Sequence, residues 1–235
     1  MKNVAIKPIL FNKQISTEMV RAILDGRKTC TRRVIKPQPD EKHTYPLGFV
    51  TDSTEKKEVG SFGFAANEYG GSIQYVKPPY RYAPGDILYV RETWCALPVN
   101  EAGHMRGHTI YYYKADGELR PKGWRGTWHP SIHMPKEASR IWLKVTDVRV
   151  ERLQSITVEG AIREGAEGEK CHHTNAGAFG CTDCMNTGWI EPPQVEFMQI
   201  WNSTIKKSDI DRYGWNANPW VWVIEFERCE KPEGV

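Results

Sequence analysis

The sequence lacks a long apolar run. It contains no stretch of about 18 consecutive apolar residues, so no transmembrane helix is predicted and no membrane partner is expected. Residues 1–11 include two lysines and no extended apolar core, which argues against a secretory signal peptide. We therefore expect a cytoplasmic protein.

A strong excess of charge of one sign is also absent. The chain carries 32 lysines and arginines against 29 aspartates and glutamates, for a net charge of +3. Bulk charge thus permits a nucleic-acid partner without requiring one. Internal repeats and coiled-coil heptads are missing too, whereas nine tryptophans and ten tyrosines are many for this length. These aromatic side chains serve either as core bulk or as stacking surfaces for bases.

An export signal is not predicted, so the six cysteines are expected to be reduced thiols or metal ligands and not disulfides. Cys171, His172 and His173 precede a Cys-x-x-Cys pair, Cys181 and Cys184. This spacing favours tetrahedral zinc, and the Gly- and Asn-rich stretch between the ligands has no core of its own. We predict a structural zinc site formed by Cys171, His173, Cys181 and Cys184. His172 is the alternative to His173, and reduced thiols without metal are the alternative to the site.

A basic, hydroxyl-rich segment follows the first predicted helix. Apolar residues at i, i+3 and i+4 predict that helix over residues 17–25, with Ser16 or Thr17 as its N-cap and Gly26 as its left-handed end. Residues 27–33 then contain four cations and two threonines. This composition is typical of a site for an anion or a polar ligand, and a solvated strand edge is the alternative.

Strand-like segments alternate with short helices along the rest of the chain. Strands are predicted over residues 87–92, 109–113, 140–153 and 218–227, and helices over residues 158–164, capped by Thr157, and 196–205. Insertions are predicted at about residues 40–80, 95–138 and 166–192. The first of them is predicted to contain one hairpin near residues 62–76. The long strand and the scarcity of βαβ units predict an α+β fold, a small, largely antiparallel barrel in a single domain over residues 1–235.

The order of four separated motifs resembles the ASCH family, named for activating signal cointegrator homology. The motifs are Gly-Arg-Lys-Thr-x-Thr-x-Arg after a helix, Pro-Gly-Asp-Ile-Leu, a long strand leading into Leu-x-x-Ile-Thr, and a closing Val-Ile-Glu-Phe. The resemblance covers residues 9–36, 82–94, 139–165 and 195–228. It implies a PUA-like β-barrel with short flanking helices and long loop insertions, in a superfamily with many RNA- and modified-base-binding modules. The ending Asn-Pro-Trp-Val-Trp-Val-Ile-Glu-Phe is similar to members common in bacteriophages and prophages.

One branch of this family is a small bacterial amidohydrolase that deacetylates acetylcytidine. The resemblance to its catalytic set implies that Lys28 acts as the base, Thr31 as the nucleophile and Glu164 as the acid. A threonine hydroxyl needs such a base, and a lysine serves as one only when burial or nearby positive charge lowers its pKa. Because alternate residues of a strand point to opposite faces, Lys28 and Thr31 come together only if the segment turns or bulges.

The remaining predicted ligand contacts are Arg27, Thr29, Arg32, Arg33 and Trp94. Planar guanidinium groups suit phosphate contacts, and indole rings stack on bases. The predicted function is binding of a nucleoside or nucleic acid in a basic cleft, with hydrolysis of an amide on a modified pyrimidine such as acetylcytidine as the enzymatic form. A non-enzymatic RNA or modified-DNA binding module of phage or prophage origin is the first alternative. A phage protein that acts on a host protein partner is the second.

Overall fold

The computed structural model describes residues 4–12, 15–98, 109–117, 127–171, 184 and 187–234. The chain divides into two compact units. The first contains Met1–Arg27, Gly85–Lys144 and Glu227–Val235, and the second contains Lys28–Pro84 and Val145–Phe226. None of the described helices has the length and apolar character needed to cross a membrane.

The described residues form an α+β structure that is rich in strands and has few, short helices. The strands are β1 (Ile6–Leu10), β2 (Cys30–Val34), β3 (Tyr45–Phe49), β4 (Phe62–Asn67), β5 (Gly70–Val76), β6 (Ile87–Arg91), β7 (Trp94–Pro98), β8 (Thr109–Tyr113), β9 (Trp142–Arg152), β10 (Glu169–Lys170), β11 (Trp189–Glu191) and β12 (Trp220–Cys229). The α-helices are α1 (Ser16–Leu24), α2 (Val158–Arg163), α3 (Pro193–Thr204) and α4 (Ile210–Tyr213).

In the first unit, β1 lies parallel to β6, and β6 pairs antiparallel with the first residues of β9. Strands β7 and β8 form an antiparallel pair. Sequence reasoning placed β7 in an irregular insertion. The ten residues between the two strands carry no tight-turn signal of the kind that identifies a hairpin from sequence.

Helix α1 buries the apolar face that its residue spacing predicts. Its end is also as predicted, since Gly26 has a φ of +77°. The predicted N-cap is wrong, because Ile15 occupies the cap position and makes no side-chain hydrogen bond there. Ser16 lies inside the first turn with its side chain buried, and this burial directs it away from the capping role.

The second unit contains the pairing of β12 with β2, which is antiparallel and sets Val221 opposite Val34 and Glu225 opposite Cys30. The hydrogen-bonded order of the sheet to which they belong is β1-β6-β9-β12-β2. This order does not return to its first strand, so the described residues contain no closed barrel. The coarse α+β class is confirmed, and the predicted PUA-like barrel is not.

Strand β12 is buried on both faces. Val221 and Val223 lie on the face opposite that of Trp220 and Trp222, and both are fully buried. They pack in a cluster with Phe197 and Trp201 of α3. A strand that lies between two other strands and under helices has no solvated face, and a period-two pattern does not reveal this.

The opposite face of β12 packs on a three-stranded antiparallel sheet, β3-β4-β5. The ring of Trp222 lies 5.9 Å from that of Phe49 and 6.1 Å from that of Phe62, between centroids. The predicted hairpin over residues 62–76 is confirmed as β4 and β5. Strand β3 was missed because Pro46 and Gly48 lower its strand propensity, which an edge strand tolerates.

Helix α2 ends next to Glu164, one of the predicted catalytic residues. The Thr157 hydroxyl accepts a 3.0 Å hydrogen bond from the Gly160 amide, so the predicted cap is confirmed. The helix ends at Arg163, and Gly165 adopts a φ of +98° just beyond it. Helix α3 begins at Pro193, three residues before the predicted start, because proline fits the first turn of a helix.

Candidate functional site

Lys28 precedes strand β2 and is not part of it. The amide of Thr29 donates a 2.9 Å hydrogen bond to the carbonyl of Arg163 at the end of α2, and the Thr29 carbonyl accepts one of 2.9 Å from the amide of Phe226 in β12. This second bond continues the register in which β2 pairs with β12, so no register shift separates Thr29 from Thr31. The turn at residues 25–26 precedes Lys28, so the turn or bulge that sequence reasoning required between Lys28 and Thr31 is not found.

A buried ion pair joins Lys28 to Glu164, 136 residues away in the sequence. Lys28 Nζ donates to Glu164 Oε2 at 2.7 Å and to the Glu164 backbone carbonyl at 2.8 Å. The two residues are only 3% and 6% exposed. Glu164 is the C-cap of α2, so the ammonium group lies at the helix end that carries partial negative charge. Two residues of the predicted catalytic set are therefore in direct contact.

Arg32 is a second cation on the same carboxylate. Its Nη1 lies 3.4 Å from Glu164 Oε1, and its Nη2 lies 3.1 Å from Glu151 Oε2. Gly160 leaves room for the guanidinium group, because a Cβ there would lie 3.4 Å from Arg32 Nη2 and 3.1 Å from Ile156 Cγ1. Among the described residues, the buried Nε of Arg32 has no hydrogen-bond partner. Arg32 is thus held between α2 and β9.

Arg149 extends this group of charges along β9. Its Nε donates to Glu151 Oε1 at 2.6 Å, and its Nη1 donates to Asp147 Oδ2 at 2.9 Å and to Glu225 Oε1 at 2.5 Å. Asp147, Arg149 and Glu151 occupy every second position of β9 and so share a face. Sequence reasoning missed these residues. The alternation of opposite charges was a usable signal, although it does not show that β12 supplies Glu225.

Arg163 completes the group. Its Nη2 lies 2.7 Å from Glu225 Oε2, and its Nε donates to Thr29 Oγ1 at 3.1 Å. Burial acts to raise the pKa of Glu225, but the hydrogen bonds from Arg163 and Arg149 hold that pKa below its usual value. We call the whole paired set the charge cluster; it contains Lys28, Arg32, Arg149, Arg163, Asp147, Glu151, Glu164 and Glu225. Its cations and carboxylates are equal in number.

Thr31 lies on the other face of β2. It is opposite Ile224 in β12, and Arg33 is opposite Trp222. By strand alternation Thr31 and Arg33 share this face, whereas Arg32 points to the opposite one. Thr31 is buried. The structure thus places the candidate nucleophile in the strand that carries Arg32, on the face away from that side chain.

Arg27 and Trp94, the other two predicted ligand contacts, belong to the first unit. Arg27 Nη2 lies 3.4 Å from Asp25 Oδ2, with both side chains largely in solvent. The ring of Trp94 lies 5.1 Å from that of His129 and 5.8 Å from that of Tyr111, between centroids. Both residues therefore have local contacts within their own unit.

Cys30 is a buried thiol inside the basic segment. Burial raises its pKa to about 12, the Glu164 carboxylate adds to this effect, and the cations Lys28 and Arg32 oppose it. A thiol with such a pKa stays protonated at neutral pH and is a poor nucleophile. The threonine, not the cysteine, is therefore the candidate nucleophile of the segment.

Two of the four predicted zinc ligands lie among the described residues. Cys171 directly follows β10, and Cys184 is buried. His173 and Cys181, together with the alternative His172, lie outside the described residues. In the part of the chain that the structure describes, no group of three or more His, Cys, Asp or Glu side chains is placed to hold a metal ion.

No protein-family model, curated protein or solved structure matches this chain. The ASCH resemblance therefore stays a prediction, and the function has to be argued from the geometry of the site itself.

Proposed function

We propose that the charge cluster and the adjoining Thr31 face of β2 bind a nucleoside-type ligand, and that Lys28, Thr31 and Glu164 hydrolyse an amide on its pyrimidine ring, as in acetylcytidine. A PUA-like barrel of the ASCH type is part of the proposal. The observation that carries it is the buried contact between Lys28 and Glu164, which the resemblance pairs across 136 residues. Core packing alone does not account for this pair, because the desolvation of a buried ion pair commonly exceeds its Coulombic gain.

The Lys28–Glu164 contact holds one proton between a base and an acid. Transfer of that proton over 2.7 Å converts the ammonium and the carboxylate into a neutral amine and a carboxylic acid. The Lys28 amine then takes the proton of the Thr31 hydroxyl as its oxygen attacks the acyl carbon. Glu164 gives its proton to the cytosine amine as the C–N bond breaks, and water later releases the acetate from Thr31.

The position of Lys28 before β2 matters for this reaction. Lys28 and Arg32 both bind Glu164, whereas Thr31 points to the opposite face of β2 from Arg32. The proposed reaction therefore requires the Lys28 amine to leave Glu164 and to reach the Thr31 face of β2.

Charge balance favours a small, uncharged ligand over a phosphate backbone. The cations and carboxylates of the charge cluster already pair with one another. A phosphate group would have to displace buried carboxylates from Lys28 and Arg32, and separating a buried ion pair is strongly unfavourable. A nucleoside needs no such exchange, because its base and sugar are uncharged hydrogen-bonding groups.

Release of acetate from acetylcytidine by the wild-type protein tests the proposal. We expect multiple turnovers, with a nucleoside affinity that changes little between about 50 and 200 mM salt. An RNA-binding module that makes about six to ten phosphate contacts would instead lose about 10²- to 10⁴-fold in affinity for single-stranded RNA over that range. If the folded protein releases no acetate and binds RNA with this salt dependence, the amidohydrolase proposal is wrong and the non-enzymatic RNA-binding module is favoured.

We also propose a structural zinc ion bound by Cys171, His173, Cys181 and Cys184. The hairpin of β10 and β11 supports this proposal, because it holds the start and the end of the cysteine-rich stretch together. The Cys171 amide donates to the Gly188 carbonyl at 3.0 Å. Cys181 and Cys184 would contribute two thiolates at one end of this stretch, which has no hydrophobic core of its own. A bound metal ion would therefore supply the folding energy that side-chain packing does not.

Elemental analysis of protein purified without added metal checks the zinc site. We expect about one zinc ion per chain, and a loss of order in this stretch on chelation. Cys184→Ser should lower the zinc content, whereas Cys229→Ser, outside the predicted ligand set, should not. A zinc content near zero, with no change on chelation, contradicts the site.

A further inference from the structure

A small cavity lies in the second unit, between α3 and the segment that begins at α4. It has a volume of about 240 Å³ and is lined by Asn202, Ile210, Asp211, Gly214 and the 3₁₀ helix Trp215–Ala217. This volume lies below the range of about 300–1,000 Å³ that is typical of sites for drug-sized ligands. The cavity therefore has room for one functional group or a short side chain.

Hydrogen bonds hold the walls of the cavity in place. Asn202 Oδ1 accepts a 2.9 Å hydrogen bond from the Trp215 amide, and Gln154 Nε2 donates one of 2.9 Å to the Trp215 carbonyl. The Gly214 amide donates to the Ile210 carbonyl at 2.8 Å. Glycine permits this approach, because a Cβ on Gly214 would lie 2.5 Å from that carbonyl oxygen. The cavity is thus preformed, as sites for small molecules usually are.

Trp215 is the aromatic residue of the cavity lining. Its ring centroid lies 6.2 Å from that of Phe197, with the ring planes at 74°, and the residue packs against the apolar cluster of α3 and β12. These contacts fix the position of the indole ring. The face of an aromatic ring carries negative potential, and among aromatic side chains tryptophan attracts organic cations most strongly.

Asp211 is the charged residue of the lining, which includes no lysine, arginine or histidine. Its side chain is exposed and, within the part of the chain that the structure describes, forms no ion pair or hydrogen bond. Asn202 and Asn216 add amide oxygens, and the Asn202 oxygen has a second lone pair beyond the one that accepts from Trp215. The lining therefore suits a ligand that is positively charged and rich in N–H donors.

We propose that this cavity binds the guanidinium group of a small organic cation or of an arginine side chain, with Asp211 as its counter-ion and Trp215 as its stacking partner. A guanidinium group is planar, pairs with a carboxylate through two parallel hydrogen bonds and stacks on aromatic rings. An ammonium group is a point charge without this geometry. The cavity shares no residue with the charge cluster, so the inference goes beyond the proposed function and does not depend on it.

Calorimetric titration of the full chain with three probes tests the cavity. Agmatine represents a free small cation, acetylarginine amide represents an arginine side chain in a peptide, and acetylcitrulline amide has the shape of the second without its charge. We expect acetylarginine amide to bind at least about fivefold more tightly than acetylcitrulline amide, because hydrogen bonds between charged groups are the stronger ones. Tighter binding of agmatine than of acetylarginine amide assigns the site to free cations, and the reverse order assigns it to arginine side chains.

Asp211→Asn is expected to weaken the binding of both cationic probes by at least about fivefold, the upper end for an exposed ion pair. Asp211 is exposed, so the variant should keep its fold. Asp209→Asn is the matched control, because it removes the same charge from a residue outside the lining, and it should bind within about twofold of the wild type.

Three results would overturn the guanidinium site. The first is wild-type protein that gives no heat of binding with either cationic probe at millimolar concentration. The second is equal affinity for acetylarginine amide and acetylcitrulline amide, because the cavity would then not recognise charge. The third is Asp211→Asn that binds as the wild type does. Acetylcytidine is not used in these titrations, so each of these results leaves the proposed hydrolysis standing.

Discussion

Thr31→Val is expected to abolish the hydrolysis of acetylcytidine, lowering kcat by at least about a thousandfold, because it removes the hydroxyl that forms the acyl intermediate. Valine has nearly the shape of threonine and is favoured in strands, so the pairing of Thr31 with Ile224 in β12 should be kept. The measurement is acetate release at saturating substrate, with the thermal midpoint recorded as a check on folding.

Thr31→Ser is the matched control, because serine keeps the hydroxyl and loses only a methyl group. We expect it to retain measurable turnover. Hydrolysis by Thr31→Val at the wild-type rate would contradict the covalent mechanism and would leave a water molecule, activated by the Lys28–Glu164 pair, as the nucleophile.

Glu164→Ala is expected to lower the free energy of unfolding by about 3–5 kcal/mol, because it leaves two buried cations without their carboxylate. Lys28 would keep its hydrogen bond to the backbone carbonyl at 2.8 Å, and Arg32 would keep its ion pair with Glu151. The measurement is the midpoint of urea unfolding, which should fall while the m-value is unchanged.

Two further variants test whether the burial of the Lys28–Glu164 pair causes the large loss of stability expected for Glu164→Ala. Asp147→Ala removes a half-exposed carboxylate that lies 2.9 Å from Arg149, and it should change the stability by less than about 1 kcal/mol. Replacing Lys28 by Met together with Glu164 by Leu removes the pair as a unit and should recover part of the lost stability. If Glu164→Ala costs no more than Asp147→Ala, the buried pair does not stabilise the second unit.

Much of the local structure could be predicted because its signals lie close together in the sequence. The cap of α2 by Thr157, the left-handed Gly26 and the hairpin over residues 62–76 each depend on contacts within a few residues. Prediction failed where a distant contact decided the outcome. Strand β3 contains a proline and a glycine and forms because it pairs with β4, and Ser16 is buried instead of capping its helix.

The candidate site shows the same division. The motif and the resemblance identified Lys28, Thr31 and Glu164 as candidates, and the structure brings Lys28 into contact with Glu164. The sequence did not reveal that Arg32 and Glu151 pair, or that Arg149 and Arg163 share Glu225. Each of these partners lies on a different element, so the register of the strands and the packing of α2 decide which charges meet.

By itself, the sequence determined the α+β class, most of the element positions and a basic segment rich in hydroxyl groups, because these depend on residue spacing and on local backbone preference. Only the tertiary structure decided that Lys28 and Arg32 of this segment are neutralised by Glu151 of β9 and by Glu164 at the end of α2. It also decided that a turn with a left-handed backbone at Tyr80 presents this side chain to solvent. Electrostatic pairing depends on distances in space, and residues more than a hundred positions apart acquire those distances only when the strands are in register and the helices are packed against them.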